Sequence, residues 1–174
     1  DNALDACEEQ DIPPEIDVVV TAGNITVRDD GPGIDSETIK KILNFSVRVS
    51  SREAYVSPTR GAQGNALKTI VMMPFVLDGS TGRVEITSMG IRHTINVRVD
   101  SIRQEPVISH EQVESPEFVR NGTQITVVWP DLACSILTGA KARFLQIVDD
   151  YTILNPFLTL NLSWMGCQSR TEAM

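Results

Sequence analysis

The residues with the most chemistry to offer lie at the end of an alternating apolar run, Asp29-Asp30-Gly31-Pro32-Gly33-Ile34. A carboxylate at a strand end can accept hydrogen bonds from a ligand, and Gly31 and Gly33 would let that ligand lie against bare backbone. The same letters also spell an ordinary turn, because glycine reaches positive φ and proline presets its own. A second stretch, Arg60-Gly61-Ala62-Gln63-Gly64-Asn65-Ala66, enters the apolar segment from Leu67 to Met73. Backbone N–H groups of glycine loops at helix N-termini, together with the helix dipole, favour phosphate; a flexible connection before a helix fits equally well. Near the N-terminus Asn2, Asp5, Ala6 and Glu9 share one helical face, so Asn2 and Asp5 project together, toward a ligand or as a solvated acidic stripe. Thr123, directly after Gly122, opens a late alternating run that contains Ile125.

These groups need elements to hold them. Asp1 to Gln10 is expected to be helical and to end at Asp11-Ile12-Pro13-Pro14, where proline cannot continue a helix. Glu15 to Val20 and Asn24 to Arg28 are β-rich runs joined at Ala22-Gly23, a hairpin that delivers the Asp29 turn. Asp35 or Ser36 can cap a helix running to about Phe45, with Ile39, Ile42 and Leu43 facing the core. The polar stretch from Ser46 to Gly64 has no clear period, and loops of that length often act as lids. The helix from Leu67 is expected to end or kink at Pro74. A second hairpin spans Arg83 to Asp100 around Met89-Gly90, Val107-Ile108 extends the sheet, and Ser109 to Pro116 is read as a polar connection. Thr123 to Trp129 is a strand, Ala140 to about Leu154 an amphipathic helix, and Phe157 to Trp164 a last strand. The fold class that follows is α+β, a two-layer sandwich of a mixed, mainly antiparallel sheet with helices on one face.

With 174 residues and 41% hydrophobic content the chain can bury one sizeable core, so residues 1–174 are read as a single domain. A net charge of -8 argues against a principal nucleic-acid surface, which would cluster Lys and Arg. Cys7, Cys134 and Cys167 are widely spaced and form no CxxC pair, which suits reduced thiols in a cytoplasmic protein. No apolar run is long enough to span a bilayer, and Asn121-Gly122-Thr123 has no signal peptide ahead of it to make it a glycosylation site. The chain begins at Asp1 inside a helical pattern, so an N-terminal truncation is expected.

In this order, an Asn-bearing helix, an Asp-x-Gly-x-Gly turn, a Gly-x-x-Gly loop and a Gly-Thr strand start resemble the Bergerat-fold ATP-binding domain of the GHKL superfamily. That superfamily groups gyrase-type topoisomerases, a heat-shock chaperone, histidine kinases and mismatch-repair ATPases. The chain looks most like the B subunit of type IIB DNA topoisomerase, topoisomerase VI. Asp1-Asn2-Ala3-Leu4-Asp5-Ala6-Cys7-Glu8, Asp29-Asp30-Gly31-Pro32-Gly33-Ile34, Arg60-Gly61-Ala62-Gln63-Gly64 and Leu154-Asn155-Pro156 carry that likeness across nearly the whole chain.

The resemblance implies ATP and Mg²⁺ as ligands. Asn2 would give its amide oxygen to Mg²⁺, a cation that prefers oxygen, and Asp5 would approach the nucleotide through water. Asp29 would accept from the adenine amino group, Gly31 and Gly33 would make room for the base, and Ile34 and Ile125 would touch its faces. Thr123 would steady Asp29 or a water, and Gly61, Gln63, Gly64 and the Asn65 backbone would wrap the phosphates, with Arg60 and Lys68 as nearby cations that read more simply as surface charge. Ala66 stands where the family's loop usually has a third glycine. The family's general-base Glu, four residues before the Mg²⁺ Asn, falls before Asp1, and its phosphate-sensing Lys belongs to a transducer domain beyond Met174. Binding without efficient turnover is therefore expected of these residues.

The likeness also implies a homodimer gated by ATP, with a DNA-cleaving A subunit and DNA engaged through other domains, and no membrane partner. Two other readings share some of these signals. One is a stand-alone or degenerate GHKL module for regulated dimerisation; the other is a histidine-kinase catalytic domain, which would normally end close to the Gly-Thr strand.

Overall fold

A computed structural model of the protein describes residues 1–44, 56–57, 61–62, 66–103, 105–115 and 121–173. The chain opens with helix α1 (Asn2–Glu9), the hairpin strands β1 (Glu15–Val20) and β2 (Asn24–Asp29), and helix α2 (Ser36–Ile42). A short antiparallel pair, β3 (Val56–Ser57) with β4 (Gly61–Ala62), precedes helix α3 (Ala66–Asp78). Strands β5 (Thr81–Ser88), β6 (Ile91–Asp100) and β7 (Glu105–Glu114) form a meander, followed by β8 (Thr123–Val128). A 3-10 turn at Asp131–Ala133 leads through α4 (Cys134–Gly139) and α5 (Lys141–Leu154) to the strands β9 (Thr159–Trp164) and β10 (Cys167–Thr171).

Local chemistry places the turns. At the first hairpin the Thr21 hydroxyl accepts from the N–H groups of Gly23 (3.3 Å) and Asn24 (3.0 Å), closing the chain on itself. At the second, Met89 (φ 49°) and Gly90 (φ 75°) are both left-handed, as a two-residue turn between twisted strands requires. Asp35 caps α2, accepting from Thr38 N–H (2.9 Å) and the Thr38 hydroxyl (2.7 Å), and those donors hold its carboxyl below the usual carboxylate range.

The strands form one eight-stranded sheet in the order β10-β9-β1-β2-β8-β5-β6-β7. β9 lies parallel to β1, and the remaining neighbours are antiparallel. Facing residues in a ladder share a side of the sheet, so the register assigns the two faces. Ile16, Val18 and Val20 of β1 face Asp29, Val27 and Ile25 of β2, which continue to Ile125 and Val127 of β8 and to Ile86 and Val84 of β5. His93 and Ile95 on β6 and Leu160, Leu162 and Trp164 on β9 extend the same side.

This is the side the helices cover. Ile39 of α2 and Val71 of α3 pack with Val84, Ile86, Ile95, Val97 and Val127. Leu4 of α1 and Val148 of α5 pack with Ile16, Leu158, Leu160 and Leu162, and Leu137 of α4 packs with Val20 and Trp164. Each fully buried aliphatic side chain contributes about 1.5–3 kcal/mol, so this layer dominates the favourable side of folding. The opposite face carries Asp17, Arg28, Glu85, Arg92, Arg98 and Asn161, as expected for an α+β sandwich with one dry layer. No described helix is long and apolar enough to cross a membrane.

Three expectations need correction. α3 does not end at Pro74 but runs on to Asp78, with Pro74 buried among the most enclosed side chains, so the helix end expected there is overturned. The stretch from Ser109 to Glu114 is not a connection but the second half of β7, held by its ladder to β6 although most of its side chains are exposed. The last strand of the expected set begins at Thr159 rather than Phe157, and α4 and the edge strand β10 had no expectation.

Candidate functional site

Asp29 ends β2 on the helix-covered side of the sheet. Its Oδ1 accepts from Gly31 N–H (3.0 Å), closing a tight local turn, and from Thr123 N–H (3.2 Å) at the start of β8. One carboxylate oxygen is thereby fixed by two backbone donors from different segments. Asp30, its neighbour, faces elsewhere: its Oδ1 accepts from Glu15 N–H (3.0 Å), with the Cys7 Sγ at 3.7 Å. Asp30 ties the turn to α1 and β1, and Asp29 ties it to β8.

Two glycines make this closeness possible. Gly122 has φ 117°, and a Cβ there would stand 2.2 Å from the Asp29 carbonyl oxygen. Gly33 has φ 89°, and a Cβ there would stand 2.8 Å from the Ser88 hydroxyl. Ile34 donates its N–H to that hydroxyl (2.9 Å) and packs its side chain against the α2–α3 core, as does Ile125 from β8. Thr123, 4% exposed, therefore lies beside both the Asp29 carboxylate and the apolar floor.

α1 packs directly on the turn. A Cβ on Gly31 would lie 3.5 Å from Ala6 Cβ and 3.4 Å from Cys7 Sγ. Ala6 shares its face with Asn2 and Asp5, so the helix turns that face toward the turn rather than toward open solvent. Asp5 is 2% exposed and Asn2 half-buried, which removes the reading of a solvated acidic stripe. Beyond the turn, α2 is held at its first residue, where Ser36 Oγ lies 3.3 Å from His93 Nε2.

Of the expected phosphate loop, Gly61 sits in β4 facing Ser57, and Gln63, Gly64 and Asn65 lie outside the described residues, as does Arg60. Ala66 opens α3 and is exposed. Lys68 is not surface charge. It is 8% exposed, and its Nζ donates to Asn44 O (2.9 Å), joining the first turn of α3 to the chain leaving α2. Ser88, Asp30 and Lys68 had no place among the expected site residues; for Ser88 the available signal was the β5–β8 register, which sets it opposite Thr123.

No family model matches the chain. Its sequence is 30% identical over 183 residues to the B subunit of type 2 DNA topoisomerase 6 from Halobacterium salinarum, covering 99% of this chain and 22% of that protein. The corresponding protein of Thermococcus kodakarensis is 34% identical over 133 residues, covering 71% of this chain and 23% of its own length. The chain thus spans under a quarter of either relative. Among solved structures, the ADP-complexed ATPase domain of Aquifex aeolicus MutL matches 99% of this chain and 60% of its own, with a TM-score of 0.61 at 16% identity, a likeness of fold. The chain thus joins sequence similarity to the topoisomerase VI B subunit with the fold of the MutL ATPase domain.

Proposed function

We propose that residues 1–174 form one ATP-binding unit of a protein similar to the topoisomerase VI B subunit, with Asp29 selecting the base. The observation that carries this reading is the carboxylate whose Oδ1 is held by Gly31 and Thr123 N–H groups. Held in this way, the Asp29 carboxylate would accept from the adenine amino group. Guanine presents a carbonyl where adenine presents that amino group, so a fixed acceptor rejects it. Gly31 and Gly33 leave room beside the acceptor, Ile34 and Ile125 supply apolar contact, and Thr123 steadies Asp29 through its backbone.

The donor set near the turn fits Mg²⁺ that arrives with phosphate. Asn2 offers an amide oxygen on a half-buried helix start, and no group of three or more His, Cys, Asp or Glu among the described residues could hold a metal unaided. Asn2 would hold the ion and Asp5 would meet it or the nucleotide through water. When bound, Mg²⁺ neutralises phosphate charge. Gly61, Gln63, Gly64 and Asn65 would wrap the phosphates at the start of α3.

In the whole protein this unit would dimerise on ATP binding and gate DNA passage together with a DNA-cleaving A subunit, in the cytoplasm. The insertion of β9 beside β1 supports this reading over a histidine-kinase domain, because the residues after the Gly-Thr strand are integral to the sheet. Calorimetric titration of the chain with Mg-ATP and Mg-GTP tests the proposal. ATP should bind at least about tenfold more tightly than GTP; equal affinities, or no ATP binding, would refute it.

A further inference from the structure

Ser88 ends β5 and has no part in the contacts proposed for base, phosphate or metal. It is 1% exposed. Its hydroxyl donates to Gly122 O (3.0 Å) and accepts from Ile34 N–H (2.9 Å), and Thr123 Oγ1 lies 3.5 Å away. A serine has one proton and two lone pairs, so the proton is committed to the β8 side and a lone pair to the turn side. One buried hydroxyl therefore joins the two glycine-bearing segments that flank Asp29.

Both partners matter to the base site rather than to the sheet at large. Gly122 immediately precedes Thr123, whose N–H holds Asp29 Oδ1, so fixing the Gly122 carbonyl fixes the direction of that donor. Ile34 follows Gly33, so fixing its N–H sets how closely the glycine turn approaches the apolar floor. Neither segment is regular structure at these points, and both run through glycines with positive φ, so their path depends on contacts rather than on a ladder or helix.

We propose that Ser88 is a positioning residue for adenine: its hydroxyl pins Ile34 and Gly122 so that Asp29, Thr123 and the Gly31–Gly33 turn meet the base in register. This rests on the ATP-binding reading above and adds a residue that never touches the nucleotide. Buried groups that lose a hydrogen-bond partner shift to find another, so removal of the hydroxyl should loosen both walls of the base site together.

The test compares Ser88→Ala and Ser88→Cys with the native chain and with Val97→Ala, a core change on β6 opposite Gly82, at the other end of the β5–β6 ladder from Ser88. Ser88→Cys leaves no void and forms only weak hydrogen bonds, while Ser88→Ala is smaller than serine, so an effect shared by both variants reports loss of the hydroxyl rather than loss of packing. Affinity for Mg-ATP and Mg-GTP would be measured by calorimetry, alongside thermal unfolding. Both Ser88 variants should bind ATP about tenfold more weakly with GTP affinity unchanged, so that the preference for ATP shrinks. Val97→Ala should lower the melting temperature and keep ATP affinity within about twofold. Native binding with unchanged affinity in Ser88→Cys would overturn the role of Ser88 alone, as would an equal loss for ATP and GTP or an equal loss in Val97→Ala. A native chain indifferent to ATP would overturn the nucleotide reading, and this assignment with it.

Discussion

At the end of β2 two adjacent carboxylates divide their hydrogen bonds between different parts of the molecule, Asp29 toward Gly31 and Thr123 and Asp30 toward Glu15. This division gives Asp29→Asn a clear consequence. An asparagine would keep its oxygen on the two backbone donors and turn its NH₂ toward the adenine amino group, donor against donor. The fold should survive while ATP affinity falls about ten- to a hundredfold, roughly 1.5–3 kcal/mol. Gly122→Ala should act on folding instead, because its Cβ would stand 2.2 Å from a backbone oxygen at φ 117°. A stability loss of more than about 3 kcal/mol is expected in urea unfolding; a loss under about 1 kcal/mol would mean that the Asp29–Gly122 approach is not tight. Asp29, Gly31, Gly33 and Thr123 were expected from the order of the motifs and the resemblance it carries, and the structure brings Asp29, Gly31 and Thr123 into hydrogen-bond contact. The contacts of Ser88 and Lys68 were not legible, since their partners lie 34 and 24 residues away and only the folded register brings them together.

Among the elements, those whose side chains alternate or repeat with helical period were legible, including the hairpins β1–β2 and β5–β6 and helix α5. β7 was only half legible because an edge strand is held by its backbone ladder and leaves Glu105, Glu111 and Glu114 outward, without a buried face to read. It nonetheless contributes His110, whose Nε2 lies 2.9 Å from His93 Nδ1 and whose ring stacks on His93 at 5.1 Å. Burial, with the facing His110 and nearby Lys40 adding to it, pulls the His93 imidazole down to about 4. Between pH 4 and 6.5 the unfolded chain therefore binds the proton that folded His93 refuses, so stability falls as pH drops through that window. Urea midpoints at about pH 7 and pH 5 should show a loss larger in the native chain than in His93→Gln by on the order of 1–2 kcal/mol. Equal losses would mean that His93 is not held neutral beneath α2.

For the molecule as a whole, the sheet divides into a dry side and a wet side, and the candidate base site sits on the dry side at the strand ends. Ile95 and Arg98 lie three residues apart on β6 and test that division. Ile95→Ala should cost about 2–5 kcal/mol in urea unfolding, because it removes a fully buried side chain from the core under α2 and α3. Arg98→Ala, on the open face, should stay within about 0.5 kcal/mol; comparable costs would contradict the two-layer arrangement. The class of fold was readable from element order and amphipathic faces, whereas the parallel docking of β9 against β1 joins the two ends of the chain and leaves no local trace in sequence. The β2–β8 ladder brings the Asp29 turn to β8, and α1 packs on that turn, the arrangement on which ATP recognition is argued. Calorimetry of Mg-ATP binding to the native chain and to a folded Asp29→Asn variant tests this most directly. The account predicts binding by the native chain and a loss of about ten- to a hundredfold in the variant, while equal ATP affinity in the two would contradict it.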